Sequence, residues 1–361
     1  MARNTPKPNL NSPLLGIAAR NAWDLSFGDG IAPVERTPSE LIFEGHHRDL
    51  YRFAGTGTGR PVLLVPPLAA PAQCFDLRPG QSLAAHLSDQ GHATYVVDYG
   101  EMHYSDRHLG FEYWTEDVLP EAIRRVSDAH DGADVDLIGW SLGGTLALLT
   151  AASHPELPIR SLTALGTPID YSETYFEPLR ALGKVISERP VTAFTWALGG
   201  VPAPLVQVGF RLTALQRELT KPWFVARNLH ETEALARMEA VDRFQSQMPG
   251  YPARLFHQMS AQLVLDNALK QGSATVGGRR IELATVSVPA LAIGSPDDTL
   301  APAASVAYAP KALTGSPRVR YETVRGSHLG LVAGPNARET SWAHIDSFFE
   351  ETALPAEASA V

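Results

Sequence analysis

The chain has almost no cysteine: among its 361 residues only Cys74 carries a thiol. An internal disulfide and a cysteine-based zinc cluster are excluded, and a buried, inert thiol in a reducing compartment is the expectation. Basic charge is also scarce, with thirty Lys and Arg against thirty-nine Asp and Glu and a formal charge of −9. A surface of that sign opposes a polyanion, so nucleic acid is not an expected partner. Long apolar runs are missing too. The longest charge-free stretch, Val191 to Phe210, is interrupted by Gly199, Gly200, Pro202 and Pro204, and reads as a broken apolar surface, not a membrane span. Met1 to Asn21 shows no continuous apolar segment followed by a small-residue cleavage site, so a signal peptide is not predicted and a cytoplasmic location is expected. Gly55, Gly57 and Gly59 precede a strand instead of following one, which removes a dinucleotide-binding loop from consideration.

What is present is an ordinary globular composition, 44% hydrophobic and 19% charged. From about residue 40, strand-like runs alternate with helix-like ones, the pattern of an α/β fold with a mostly parallel central sheet and helices on both faces. Strands are predicted at Glu40–Phe43, Asp49–Phe53, Pro61–Val65, Ala93–Val97, Val135–Ile138, Ser161–Leu165, Ala290–Ile293 and Arg318–Val324. Helices are predicted at Gln81–Asp89, Phe111–Ala129 and Glu339–Glu350. The long interval before Ala290 is rich in Trp, Phe and Leu and cannot be a bare loop, so it reads as a largely helical cap. The expected division is an N-terminal extension (1–36), a core (37–171 and 286–352), a cap or lid (172–285) and a flexible tail (353–361).

The chemistry concentrates where Val135–Ile138 runs into Gly139-Trp140-Ser141-Leu142-Gly143-Gly144. A lone serine is a poor nucleophile; a sharp strand-to-helix turn exposes its hydroxyl, and small neighbours make the turn possible. Gly139 and Gly143 meet that demand, and the helix beginning at Leu142 aims unpaired N–H groups at a developing oxyanion. Leu142 N–H is therefore one expected oxyanion donor. Pro66 and Pro67 have no N–H, which makes Leu68 the other, with Ala69 in reserve. The carboxylate is expected after the next-to-last strand, where Asp297 and Asp298 compete and Asp298 is preferred. The base is expected after the last strand, at His328 in Gly326-Ser327-His328-Leu329-Gly330. The order Ser141, Asp298, His328 is that of the α/β-hydrolase fold and not of the chymotrypsin or subtilisin folds. No metal or organic cofactor is called for.

Beyond the triad, the chain resembles the polyhydroxyalkanoate synthase family and its serine-containing hydrolase-like relatives within the α/β-hydrolase superfamily, over about residues 37 to 350. The resemblance is carried by Leu63-Leu64-Val65-Pro66-Pro67, Asp76-Leu77-Arg78-Pro79 with Ser82-Leu83, Asp98-Tyr99-Gly100, Asp106-Arg107-His108-Leu109, Gly166-Thr167-Pro168-Ile169-Asp170, Asp298 through Pro302, and Gly326 through Gly330. It implies Asp298 as the acid, because the family's acid stands four residues before a proline and Pro302 fits. It also implies a departure, since the synthases carry cysteine where this chain has Ser141. Serine suits ester hydrolysis or simple acyl transfer better than repeated thioester exchange. The expected function is a serine esterase or lipase-type hydrolase of acyl, lipid or hydroxyalkanoate esters; the alternative is an acyltransferase using acyl-CoA. Val191–Phe210, with Trp196, either lines an acyl pocket or lid, with peripheral lipid or granule contact, or only packs the cap. Trp140 likewise either shapes the pocket or packs the elbow.

Overall fold

The computed structural model describes residues 13–55, 57, 59–174, 189–213 and 215–353. The first part of the predicted extension, residues 175–188 of the predicted cap, and the predicted tail from 354 on lie outside the described residues.

Eight strands form one sheet: β1 (Ser39–Phe43), β2 (Asp49–Phe53), β3 (Pro61–Val65), β4 (Ala93–Asp98), β5 (Val135–Trp140), β6 (Ile159–Leu165), β7 (Ala290–Gly294) and β8 (Val319–Thr323). Their order across the sheet is β1-β2-β4-β3-β5-β6-β7-β8. β1 pairs antiparallel with β2, as the predicted hairpin requires, and β2 runs antiparallel to β4; every other pairing is parallel. The central strands are short and apolar because both of their faces are covered. Along β3, alternate side chains go to opposite faces, Leu63 and Val65 to one core and Val62 and Leu64 to the other.

The first core is closed by α3 (Leu119–Asp128) and α4 (Leu142–Ser153), which contribute Leu119, Ile123, Val126 and Leu146. The second is closed by α2 (Leu83–Asp89) and by the closing helix Ala343–Ala353, which contribute Leu83, Leu87, Ile345 and Phe348. α2 starts where the Ser82 hydroxyl accepts from Ala85 N–H, an N-cap that satisfies one orphan donor of the first turn. Cys74 is fully buried, and burial pushes its thiol up, in keeping with the inert reading. The predicted helix Phe111–Ala129 is helical without a break to Asp128, but it is not α-helical throughout. Tyr113–Val118 is a wider π turn and the α-helix proper starts at Leu119, because Pro120 has no N–H to continue the hydrogen-bond ladder back through that turn.

Between β6 and β7 the described residues hold five α-helices, Arg189–Ala197, Ala203–Thr213, Leu215–Arg227, Thr232–Ser246 and Ala253–Gln258, the last continued by a π-helix, Met259–Leu265. The charge-free run 191–210 is split between the first two of these, with Gly199 and Gly200 at φ +83° and +143° between them. Among the described residues no helix is long and apolar enough to cross a membrane. A hairpin that the sequence analysis did not predict, Ser273–Val276 with Arg279–Glu282, turns through Gly277 and Gly278, both at positive φ. That is the left-handed two-residue turn whose twist matches paired strands. The N-terminal helix Pro13–Phe27 leans on the inserted segment: Asn21 Nδ2 donates to Leu229 O at 2.8 Å, and Ile31 and Ala32 N–H donate to Glu239.

Candidate active site

Ser141 sits between β5 and α4 at φ +55° and ψ −124°, a conformation that costs a non-glycine residue of order 1–3 kcal/mol. Its neighbours explain how the turn closes. A Cβ on Gly139 would lie 2.5 Å from Gly144 Cα, and one on Gly143 would lie 2.1 Å from Val65 O. The backbone after β3 thus presses against the first turn of α4, and only glycine permits the approach. Ser141 N–H donates to Leu165 O at 2.8 Å, and Thr167 Oγ1 donates to Ser141 O at 3.0 Å, so the end of β6 clamps the elbow from the other side.

The two proposed oxyanion donors flank this junction. Leu142 is the first residue of α4, so its N–H has no partner within the helix, and Leu68 follows Pro66 and Pro67 in the loop after β3. Among the described residues neither amide donates a hydrogen bond.

The candidate acid and base follow the next two strands, β7 and β8. Asp298, whose side chain is 0% exposed, follows β7; its Oδ1 accepts from Leu300 N–H at 2.8 Å and Ala301 N–H at 2.9 Å. Its Oδ2 lies 2.6 Å from His328 Nδ1. A carboxylate so served by donors accepts from the imidazole, which puts the ring hydrogen on Nδ1 and leaves Nε2 free to take a proton. Ser295 Oγ donates to Gly326 O at 2.6 Å and ties the acid-bearing loop to the base-bearing loop. Asp297, the competing carboxylate, is exposed and accepts from Arg325 at 2.8 Å, turned away from the imidazole.

His328 stands beside the elbow. Its ring packs at 5.1 Å, centroid to centroid, on Trp140, whose Nε1–H donates to His328 O at 3.1 Å. A Cβ on Gly166 would lie 3.3 Å from both His328 Cε1 and Asp298 Oδ2, and Gly166 directly follows the Leu165 carbonyl that holds Ser141 N–H. The structure therefore joins Asp298 to His328 and sets both beside Gly166, which adjoins the carbonyl that holds Ser141 N–H. Among the described residues no hydrogen bond links the serine hydroxyl to the imidazole, a contact that in the absence of substrate is often long. Trp140 is 3% exposed and also packs on Phe244, so it supports the histidine from behind. Sequence reasoning did not single out Thr167 or Ser295 as supports; only the placement of Thr167 in a quoted motif pointed that way.

Beyond the elbow, Asp170 links β6 to the inserted segment. Burial alone would raise its pKa, but hydrogen bonds from Lys270 at 2.7 Å, Ser172 and Asn267 outweigh it and hold the carboxyl at about 2.

A family model described as the alpha/beta hydrolase fold matches residues 60–332. Among curated proteins, the chain is similar to the Poly(3-hydroxyalkanoate) polymerase subunit PhaC of Haloferax mediterranei, 24% identical over 88% of this chain and 65% of that one. It is likewise similar to the subunit of the same name from Allochromatium vinosum, 23% identical over 87% of this chain and 89% of that one. With the Cupriavidus necator subunit the identity is 27% over 84% of this chain, which spans only 52% of that protein.

Proposed function

The chain belongs to the alpha/beta hydrolase fold family, and from that premise we propose that it is an acyltransferase of the polyhydroxyalkanoate-synthase type, working through an acyl-serine. In this reading His328 Nε2 takes the proton of Ser141 as the hydroxyl attacks the carbonyl of an acyl-CoA thioester. The Leu142 and Leu68 N–H groups bind the oxyanion, and Asp298 holds the imidazole in the required tautomer. The thioester C–S bond breaks, the thiol leaves with the proton from His328, and an acceptor hydroxyl then attacks the acyl-serine with His328 again as base. The reading includes the division into a core (37–171 and 286–352) and an inserted cap (172–285).

The observation that carries transfer over plain hydrolysis is the similarity to polymerase subunits across 84–88% of the chain. Exposed apolar residues on the inserted helices, among them Leu205, Val208, Leu219 and Trp223, support contact with an acyl-rich surface. Hydrolysis of acyl esters is the second reading, favoured by one residue: an oxygen nucleophile at position 141 forms an ester that water can discharge, whereas a thiolate is the better group for repeated exchange. Incubation with acyl-CoA and a series of hydroxy compounds separates the two. Transfer is expected to give ester and free CoA in step, whereas free acid with no ester rejects it. Ser141→Ala is expected to lower either activity by about 10³-fold or more, and equal rates in wild type and variant would remove Ser141 from the mechanism.

A further inference from the structure

The turn between β1 and β2 carries His46 and His47, and the loop after β4 carries Asp106, which the fold brings against them. His47 and Asp106 are buried, and His46 is exposed. Hydrogen bonds fix the imidazole tautomers. His47 Nδ1 lies 2.6 Å from Tyr99 O, and a carbonyl only accepts, so Nδ1 bears the hydrogen. Tyr113 donates its phenolic hydrogen to His46 O at 2.8 Å, so at 3.2 Å from His46 Nδ1 its oxygen acts as acceptor, and that nitrogen also bears the hydrogen. Each neutral ring is left with a bare Nε2. Both face one carboxylate, His47 Nε2 at 3.2 Å from Asp106 Oδ2 and His46 Nε2 at 3.5 Å from Oδ1. His47 Nε2 is buried, and the polar group it faces is the Asp106 carboxylate. A bare ring nitrogen and a carboxylate oxygen turned on one another repel unless a positive charge, a proton or a metal ion, lies between.

We propose that His46, His47 and Asp106 bind a divalent transition-metal ion of the zinc class. The His47 Nε2 to Asp106 Oδ2 separation of 3.2 Å matches the edge of a coordination tetrahedron, roughly 3.3 Å for bonds of about 2.0–2.1 Å, and His46 Nε2 stands 3.5 Å from the other carboxylate oxygen. Two imidazoles and one carboxylate form a donor set suited to zinc and its neighbours more than to calcium or magnesium. Each ring hands its other N–H to an oxygen, the outer contact that orients a metal-binding histidine. Ser105 Oγ and His103 N–H hold the Asp106 carboxylate, at 3.1 Å and 2.6 Å. The neighbouring cation, Arg48, is matched by Glu121 at 2.7 Å. Exposed His46 leaves the fourth position open to water. The ion ties the β1–β2 turn to the Tyr104–His108 turn, which itself reaches the inserted helices through His108 on Trp196 and Leu109 O accepting from Leu255 N–H. A histidine pair and one aspartate distant in sequence make no recognisable ligand spacing, which is why the sequence analysis expected no metal.

The full chain, stripped with a chelator, is titrated with Zn²⁺ against a chromophoric competitor and its Tm followed. One ion per chain and a rise in Tm are expected. His46→Ala, at an exposed position that the fold tolerates, and Asp106→Asn are each expected to weaken binding by about 10- to 100-fold, with His230→Ala unchanged as the control for surface histidines. If wild type binds no ion, the gap is filled by protons on the rings and the proposal is overturned; it is overturned equally if His46→Ala and Asp106→Asn bind Zn²⁺ as tightly as wild type.

Discussion

At the scale of single residues, the site turns on how two adjacent aspartates are treated. Asp298 is buried, served by two backbone N–H groups and the imidazole, while Asp297 faces solvent and meets only Arg325. Replacing Asp298 by Asn would swap an acceptor for an amide and favour the wrong ring tautomer. Asp298→Asn is expected to lower kcat/KM by about 10³- to 10⁴-fold, and Asp297→Asn to change it by less than about twofold, both read as CoA release from acyl-CoA. Equal losses in the two would break the assignment. The candidate residues Ser141, Asp298 and His328 could be named from the sequence because each follows a strand in a fixed order and has small or turn-forming neighbours. Thr167 and Ser295 could not. A hydroxyl that donates to a carbonyl across two loops leaves no periodicity and no composition to read, and only the folded backbone reveals it.

Among the elements, strands were read closely because short apolar runs with abrupt Pro or Gly ends mark them. Helices were read less closely, as the π turn ahead of Pro120 illustrates. The hairpin at Ser273–Glu282 had its signal in plain view, two glycines between alternating runs, but it stood inside a segment dominated by helix formers. That hairpin follows the stretch holding Asn267 and Lys270, which clasp Asp170 at the end of β6. The Asp170 carboxyl is depressed from 3.8 to about 2, so its contribution is in place above about pH 4 and is lost as pH falls toward 2. Lys270 is exposed to solvent, which screens the pair and trims that contribution. Asp170→Asn is expected to be less stable than wild type near neutrality and to converge with it in acid, as followed by urea unfolding between pH 6 and about pH 2. A difference that stays constant across that range would show the carboxylate is not the group responsible.

For the molecule as a whole, one buried cation joins the sheet to the closing helix. Arg60, at the start of β3, meets Asp136 of β5 at 2.9 Å, donates to Phe349 O and reaches Thr352 Oγ1 at 3.0 Å. Asp136 is fully buried and its carboxyl is pushed up by burial, with Arg60 and Ser161 pulling it back. Removing the cation leaves that charge to the Ser161 hydroxyl and to the field of Arg160. Arg60→Met is therefore expected to cost about 3 kcal/mol in urea unfolding near neutrality, and less in mild acid, where Asp136 takes a proton and no longer needs a counter-charge; a penalty below about 1 kcal/mol at neutral pH would show that water already shares the site. The strand order has a consequence of another kind. The bent serine belongs to a strand near the middle of both the sheet and the chain, while its proposed base hangs from the rim strand β8, the last one made. A polypeptide growing from its amino end thus carries the proposed nucleophile well before the proposed base, and the pair can work together only once the rim strand is laid down.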